Sequence, residues 1–508
     1  MASKVTARQK IIILTVVVSS VIEIIDATIV NVSLPYMMGN LGATLNEISW
    51  VIASYAIANF IMVASASWLS AKLGRKNYFT ISILIFTCAS FFCGISTNVW
   101  ELTFFRFLQG TGGGALLATA QAILVETFPK EQLNKANAVF GSGIICGPAL
   151  GFFVGGAITE YISWHWIFFI NIPIGLTATV MSYIFIPEPK EVRKAGKFDW
   201  QGWLFLVLGF GSLLVVLENG QEANWFSSTY ISVLGVIAVF GIILFVWREL
   251  TAKMPLTYLR VFRIPTFAMG MTANLIAAIG FSWAFLLFPI FSQQVVGLNP
   301  LQTGILIMPA PIAALTMVFF IGRIKQSIRS LSLMLSFGVI LVFLHAIWFA
   351  SFNQNVSQLE IVWPLLVRGA GLSVLFVPMI TITLYDLKGK EIPEGTGLFN
   401  MARKLGNALG IALITVFISR RSEFHETRIS EFADGTNPVF ESVFSLFKTT
   451  AEVDNPAKAE SIAKLYMAES IQYQGALLTY MDTFIIIGLF FLACLPVFLL
   501  FLLKKTDK

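Results

Sequence analysis

The chain has 508 residues, 56% of them hydrophobic and 12% charged, with a formal net charge of +6. A soluble domain carries about 25% charged residues, so this share leaves too little polar surface for a globule in water and indicates an integral membrane protein. The basic excess sits in short loops between apolar runs rather than in one patch, which argues against a nucleic-acid-binding surface.

In chain order, a short basic start, Met1 to Lys10, leads into an apolar run that begins at Ile11 and ends at Asn31-Val-Ser-Leu-Pro35. That run is too long for a signal peptide and lacks a small-x-small cleavage pattern, so it is expected to be a retained first span. A bilayer core takes about 20 apolar residues of helix. On that criterion spans are expected near 11–34, 48–70, 78–97, 102–126, 138–159, 164–186, 201–217, 230–247, 266–290, 303–321, 331–351, 360–384, 398–419 and 480–503. Cys88, Cys93, Cys146 and Cys494 all lie in apolar runs without CxxC spacing and read as small buried residues.

If the first end of the chain is cytoplasmic, alternate loops hold Lys72, Arg75, Lys76; Lys130, Lys135; Lys190, Arg193, Lys194, Lys197; Arg248, Lys253, Arg260, Arg263; Arg323, Lys325, Arg329; and Lys388, Lys390, with Lys504, Lys505 and Lys508 in the tail. The first six opposite loops hold no lysine or arginine. This is the positive-inside pattern, and it predicts both termini on the cytoplasmic side of the membrane. A repeat follows from the same topology. Arg106 with Gly110 to Gly114, and Arg368 with Gly369 and Gly371, both fall on the fourth helix of a six-helix unit. The predicted fold is an all-α polytopic membrane protein of about 14 spans. Six-helix halves at 1–190 and 261–508 flank a two-helix linker at 191–260, with an outward amphipathic loop at 421–479. Such halves rocking about a midplane site are the architecture of many secondary transporters.

Glu23 and Asp26 lie deep in the first span, three residues apart and so nearly on one helix face. A charge at that depth costs about 2.5–3.5 kcal/mol on insertion scales. The pair is a candidate for binding and releasing protons and for attracting a cationic solute; the alternative is carboxyls capped for packing. Arg106 is the single basic residue inside the first half, and these acids are its available partners. A switchable Arg106–Asp26 link and a permanent structural clamp both fit. Arg368 has no deep acid within reach in its own half and is expected to bond backbone carbonyls. Gly143, Gly147, Gly151 and Gly155, with Gly156, give the fifth span a smooth face for close helix approach. Pro148 removes a backbone hydrogen bond and permits a bend there. Gln109, Asn400, Phe281 and Phe285 are candidates to line a substrate cavity. His165, His345 and His425 show no zinc spacing, and no P-loop or nucleophile motif is present, so no metal and no cofactor is expected. Between Arg420 and Tyr480, Phe440, Val443, Phe444 and Phe447, then Ile462, Leu465 and Tyr466, recur at helical spacing. A helix pair lying on the membrane is one reading of them.

Several motifs together resemble the major facilitator superfamily, and within it the fourteen-span drug:proton antiporters of the EmrB/QacA type. They are Asp26-Ala-Thr-Ile-Val-Asn-Val-Ser-Leu-Pro35, Gly74-Arg75-Lys76, Arg106-x-x-Gln109-Gly110, the Gly147-Pro148 run, Trp164 through Asn171-Ile-Pro173-Ile-Gly175, and Asn400-x-x-Arg403-x-x-Gly406. The resemblance implies proton-coupled efflux of hydrophobic or cationic drugs by alternating access, with Asp26 as the proton-linked acid and Arg106 in the proton pathway. It implies that Gly147 and Pro148 mark an exporter, and that Lys72, Gly74, Arg75 and Lys76 gate the cytoplasmic side. For the 421–479 loop it implies docking of a periplasmic adaptor that leads to an outer-membrane channel. The family's gating loop has Gly-x-x-x-Asp where this chain has Ser67 and Ala71, so the usual acidic partner is absent from that loop. Export of one metabolite, such as a lipid or siderophore, and a membrane-embedded enzyme are the alternatives.

Overall fold

In a bilayer every backbone N–H and C=O has to be paired within the protein, and for single segments helix is the form that achieves it. The computed structural model describes residues 6–501 apart from 115, 189–195, 325–326, 354–355, 389–390, 432–437, 451–455 and 500, and the described residues form helices and no strand. Lys190, Arg193, Lys194, Lys325, Lys390, Lys504, Lys505 and Lys508, and the expected boundary at 190/191, lie outside the described residues.

The first bundle comprises α1 (Ala7–Leu41), α2 (Leu45–Leu73), α3 (Arg75–Gly94), α4 (Val99–Gly113), α5 (Leu116–Thr127), α6 (Lys130–Tyr161), α7 (Trp166–Phe169) and α8 (Asn171–Phe185). Next come α9 (Trp200–Leu206), a π-helical turn at Val207–Gly211, α10 (Ser212–Asn219) and α11 (Thr229–Thr251). The second bundle is α12 (Pro265–Gln294), α13 (Pro300–Ile307), α14 (Pro309–Ile321), α15 (Ile328–Ala350), α16 (Gln358–Thr383), α17 (Glu391–Glu431), α18 (Pro438–Thr450) and α19 (Pro456–Leu499). Capping boxes at Thr6/Gln9, Thr44/Glu47, Asn299/Gln302 and Ser357/Glu360 satisfy the orphan N–H groups that open four of these helices. Between α2 and α3 the chain turns at Gly74, whose φ of 81° is open to glycine and strained for other residues.

Thirteen helices among the described residues are long and apolar enough to cross a membrane. The remaining expected segment, 102–126, is present as two shorter pieces, α4 and α5, of 15 and 12 residues. The two pieces lie on either side of residue 115, which is outside the described residues; in the glycine run Gly112 lies against the backbone of Ser82 and Phe86 and Gly114 against that of Asn59, so α4 nests between α2 and α3. The expectation for 420–480 also needs correction. The two helices that bound this segment do not stop at the membrane. α17 has 41 residues and α19 has 44, lengths of about 60 and 66 Å at 1.5 Å per residue, against an apolar core of about 30 Å. They run on together beyond the end opposite the basic loops, joined by Arg421 and His425 to Asp482 at 2.5 and 2.7 Å. α18 packs on α19, with Phe447 5.9 Å from Tyr466 between ring centroids. The helical spacing of the apolar residues is therefore real, but they brace a projecting helical stalk instead of lying flat.

In the first bundle the apolar core has two main layers, with smaller clusters besides. Ile12, Val16, Phe79, Leu116 and Phe140 belong to a layer at the basic-loop end, and Ile29, Met37, Val51, Leu102 and Phe168 to a layer at the other end. The bundles meet where α6 packs on α13 and α14, and where α17 packs on α2 and α5. The α6 glycines have two targets. Gly143 faces Val17 and Val21, Gly147 faces Ile24, Gly151 faces Ile25 and Thr28, and Gly155 faces Ile29, all on α1. Gly156 instead meets the backbone of Pro300 and Leu301 in the other bundle, where Gly304 in turn meets Phe153. Pro148 lies within α6 among these contacts.

A Cβ at Gly151 would approach the Ile25 carbonyl oxygen to 3.0 Å, whereas one at Gly141 would meet nothing within 4 Å. Gly151→Val is expected to cost about 1–3 kcal/mol by overpacking, read as a lower melting temperature of the purified protein. Gly141→Ala is expected to leave it unchanged or raise it by up to about 1 kcal/mol of helix propensity. Equal effects of the two changes would mean that α6 is not seated on α1 by this face.

Candidate functional site

Between the two apolar layers of the first bundle lies a buried polar cluster around Asp26, which is 0% exposed. The Arg106 Nη1 donates to Asp26 Oδ2 at 2.6 Å and to Gln109 Oε1 at 2.7 Å. Gln109 Nε2 donates to Asp26 Oδ1 at 2.8 Å, and Asn171 Nδ2 donates to the same oxygen at 2.7 Å. Ser90 accepts from both amides and donates to the Phe168 carbonyl at 2.9 Å. The guanidinium of Arg106 also stacks 4.0 Å from the Tyr55 ring centroid, and its Nε reaches the Val51 carbonyl at 3.4 Å. The carboxylate thus accepts three hydrogen bonds and the guanidinium donates from Nε and Nη1, the kind of protein solvation that a charge pair in a low-dielectric interior requires.

Glu23 lies one helical turn from Asp26 and has different partners. Its Oε1 accepts from Asn59 Nδ2 of α2 at 2.9 Å and lies 3.6 Å from Lys404 Nζ of α17. The expectation that the two acids share nearly one helix face does not hold: Asp26 points into its own bundle and Glu23 to the seam with the other, because three residues leave them about 60° apart around the helix. A cavity of about 620 Å³ occupies that seam at the basic-loop end. It is lined by α2 from Val63 to Ala71, by α5 from Ala118 to Thr127, and by α17 residues that include Glu394 and Met401. At the opposite end the seam is closed by the Gly156–Pro300 and Gly304–Phe153 contacts.

The basic loop after α2 forms part of the cavity mouth. Its acidic partner, expected to be missing, is present: Arg75 forms an ion pair with Glu126 at the end of α5. Ser67, which stands at the family's glycine place, donates to Glu394 Oε1 of α17 at 3.3 Å. Lys72 lies 4.8 Å from the Trp68 ring centroid and Lys76 5.0 Å from that of Tyr183. A carboxylate contributed from another helix replaces the one absent from the loop, and sequence spacing carried no signal of that.

The four cavity candidates are placed elsewhere. Gln109 is buried in the Asp26 cluster at 0% exposure, and Asn400 is buried and donates to the Thr396 carbonyl at 3.0 Å. Phe281 packs against Phe376 and Phe491 in the core of the second bundle, and Phe285 is half-buried against the same core. Polarity and aromaticity within a span do not report which side of a helix faces the seam. Arg368 is where its lack of an acid led it to be expected, with Nη1 donating to the Ala284 carbonyl at 2.9 Å. His345 sits 2.9 Å from the Pro364 carbonyl as a buried hydrogen-bonding residue. No group of His, Cys, Asp or Glu among the described residues has the arrangement of a metal site. Lys404, Asn59 and Glu126 went unnoticed in the sequence, although an ionisable residue within a span, as Lys404 is, is itself the signal.

Removing one member of a buried ion pair leaves the other charge uncompensated, at a cost of about 3–5 kcal/mol. Arg106→Leu is therefore expected to lower the melting temperature strongly, and Asp26→Leu/Arg106→Leu to lose much less than the sum of its single changes. Additive losses would show that the two charges do not depend on each other.

Comparison with known proteins places this arrangement. The family model described as Major Facilitator Superfamily matches residues 16–411. The chain is 30% identical to the multidrug export protein EmrB of Haemophilus influenzae, over 96% of this chain and 95% of that one. It is 28% identical to the fatty acid resistance protein FarB of Neisseria gonorrhoeae, over 94% and 92%. Its fold matches the solved structure of a bacterial homologue of the human drug peptide transporters, with a TM-score of 0.59, 14% identity and coverage of 97% and 98%. With two helical bundles meeting at a cavity, and with this match over most of its length, the chain is a multi-pass membrane transporter, not an enzyme, and belongs to the major facilitator superfamily.

Proposed function

We propose that this chain is a proton-coupled exporter of hydrophobic or cationic small molecules, working by alternating access in a bacterial inner membrane with both termini in the cytoplasm. The observation that carries the proposal is the fully buried Asp26–Arg106 pair, held midway along α1 beyond the inner end of a cavity open at the basic-loop end. EmrB relatives supply the direction of transport and the class of substrate. The bundles at 1–190 and 261–508 act as the rocking halves, with 191–260 as the linker between them. The α6 contacts with α1 and α13 are the bearing, and the Arg75–Glu126 and Ser67–Glu394 contacts brace the cytoplasmic mouth.

In this cycle a proton on Asp26 cancels the charge that holds Arg106 Nη1 to α1. The guanidinium then keeps its contacts with the Val51 carbonyl and the Tyr55 ring, so its tie shifts from α1 toward α2. Loss of the proton to the cytoplasm restores the link. One proton crossing about 100 mV supplies about 2.3 kcal/mol, enough for a roughly forty-fold gradient of a neutral solute. The projecting stalk of α17, α18 and α19 suits an adaptor protein that leads to an outer-membrane channel. A second reading, a dedicated exporter of a lipid, is favoured by the similarity to FarB.

Proteoliposomes loaded with a pH-sensitive dye test the proposal. Addition of a lipophilic cation is expected to drive proton movement in the wild type that Asp26→Asn abolishes, while the variant keeps its elution volume in detergent. Undiminished flux in Asp26→Asn would remove Asp26 from the mechanism. If a fatty acid drives flux and no cation does, the second reading stands in place of the first.

A further inference from the structure

Lys404 has no part in the cycle just described, yet it stands at the inner end of the cavity. Along α17 the cavity wall runs through Gly397 and Leu398 to Met401. Lys404 is three residues further in, on nearly the same helix face. Along α2 the wall reaches Val63, and Asn59 lies one turn deeper at the i, i+4 spacing. Both side chains converge on Glu23, with Nζ at 3.6 Å and Nδ2 at 2.9 Å from its Oε1. The carboxylate is 5% exposed and the lysine side chain 24%, so the ammonium on its flexible stem has room to swing into the cavity while the carboxylate stays in place.

Two more oxygens beside this pair are buried: Asn59 Oδ1, without a hydrogen-bond partner among the described residues, and the Tyr55 hydroxyl, which lies against the Asn59 side chain. These groups pack closely against Gly113 of α4. A Cβ there would lie 2.7 Å from the Tyr55 hydroxyl, 3.3 Å from Glu23 Cγ and 3.4 Å from Asn59 Nδ2. A carboxylate, an amide oxygen and a phenol oxygen beside the Lys404 ammonium form an acceptor set for a cation. Arg403, beside Lys404, stacks over Phe376 with its guanidinium carbon 5.6 Å from the ring centroid, within electrostatic reach of Glu23.

We propose that Glu23, Asn59 and Tyr55 form a subsite for a lipophilic organic cation and that Lys404 is its tethered occupant. In the empty transporter the lysine ammonium neutralises Glu23 and ties α17 of one bundle to α1 of the other. An incoming cation takes the carboxylate from Lys404 and unties the bundles as it binds. Affinity is thereby set by a competition between substrate and a side chain of the protein. The inference rests on the exporter reading and adds the cation subsite to it.

Equilibrium binding of tetraphenylphosphonium to the purified full-length protein tests this. Lys404→Met keeps the length of the side chain and removes its charge; it is expected to lower Kd about tenfold. Lys404→Arg, which keeps a tethered cation, is expected to stay close to the wild-type Kd. The gain should vanish in Glu23→Gln/Lys404→Met. Lys404→Gln serves as a second neutral variant should Lys404→Met elute as aggregate. No gain in either neutral variant, a gain that survives loss of Glu23, or no binding of the probe to any form would overturn the proposal. Drug-driven proton flux without the binding gain defeats the subsite alone, and the binding gain without flux defeats the proton coupling alone.

Discussion

A charge in the middle of a membrane helix persists only where the protein takes over the solvation that water would have given it. The first bundle is organised around doing so for Asp26. Arg106 and Gln109 come from α4, Asn171 from α8, and Ser90 of α3 links the two amides. Four helices are thereby fixed in register by one carboxylate. The apolar core has a layer towards either end of the bundle, and between them the small cluster of Ile22, Tyr55 and Phe86 packs beside the polar network. A buried network is stable when complete and costly when partly met. An ionisable group that can drop out of it is therefore suited to triggering a change of shape.

The first helix has three distinct jobs on three faces. One face carries Asp26 into the bundle. Another carries Glu23 to the seam, and a third presents Val17, Val21, Ile24, Thr28 and Ile29 to the glycines of α6. Small residues let two membrane helices approach closely where apolar surface alone gives no driving force. α1 is seated on α6 by its glycine face, and α6 in turn touches α13 of the other bundle at Gly156. The seam is shut there and open at the basic-loop end, so one helix pair connects the buried charges with the closed end of the pathway.

The internal repeat gives a control within the same molecule. Arg106 of α4 reaches the first helix of its bundle, and Arg368 of α16 does likewise, touching α12. The first finds a carboxylate, and the second finds only the Ala284 carbonyl. The same scaffold therefore holds an ion pair that a proton can break in one half, and in the other an arginine bonded to a carbonyl that no proton near neutral pH will change. In the cycle proposed above, this asymmetry puts the proton-linked ion pair in the first bundle, while the second contributes cavity wall, Lys404 and the projecting stalk.

Composition and the spacing of apolar runs were enough to derive the membrane class, the helical spans and the duplicated six-helix plan, because a bilayer imposes a length and a polarity on each segment independently of its neighbours. The same logic singled out Glu23, Asp26, Arg106 and the α6 glycines, each an exception within an otherwise apolar run. Their partners follow no such local rule. Glu126 answering Arg75, Lys404 answering Glu23, and Gln109 turned inward to Asp26 and away from the cavity all depend on helix rotation and on residues tens to hundreds of positions away. The run of a helix through the membrane is set by its own sequence. The direction in which each side chain points, and the charge it meets there, are set by how the helices pack, and only the tertiary structure decides that.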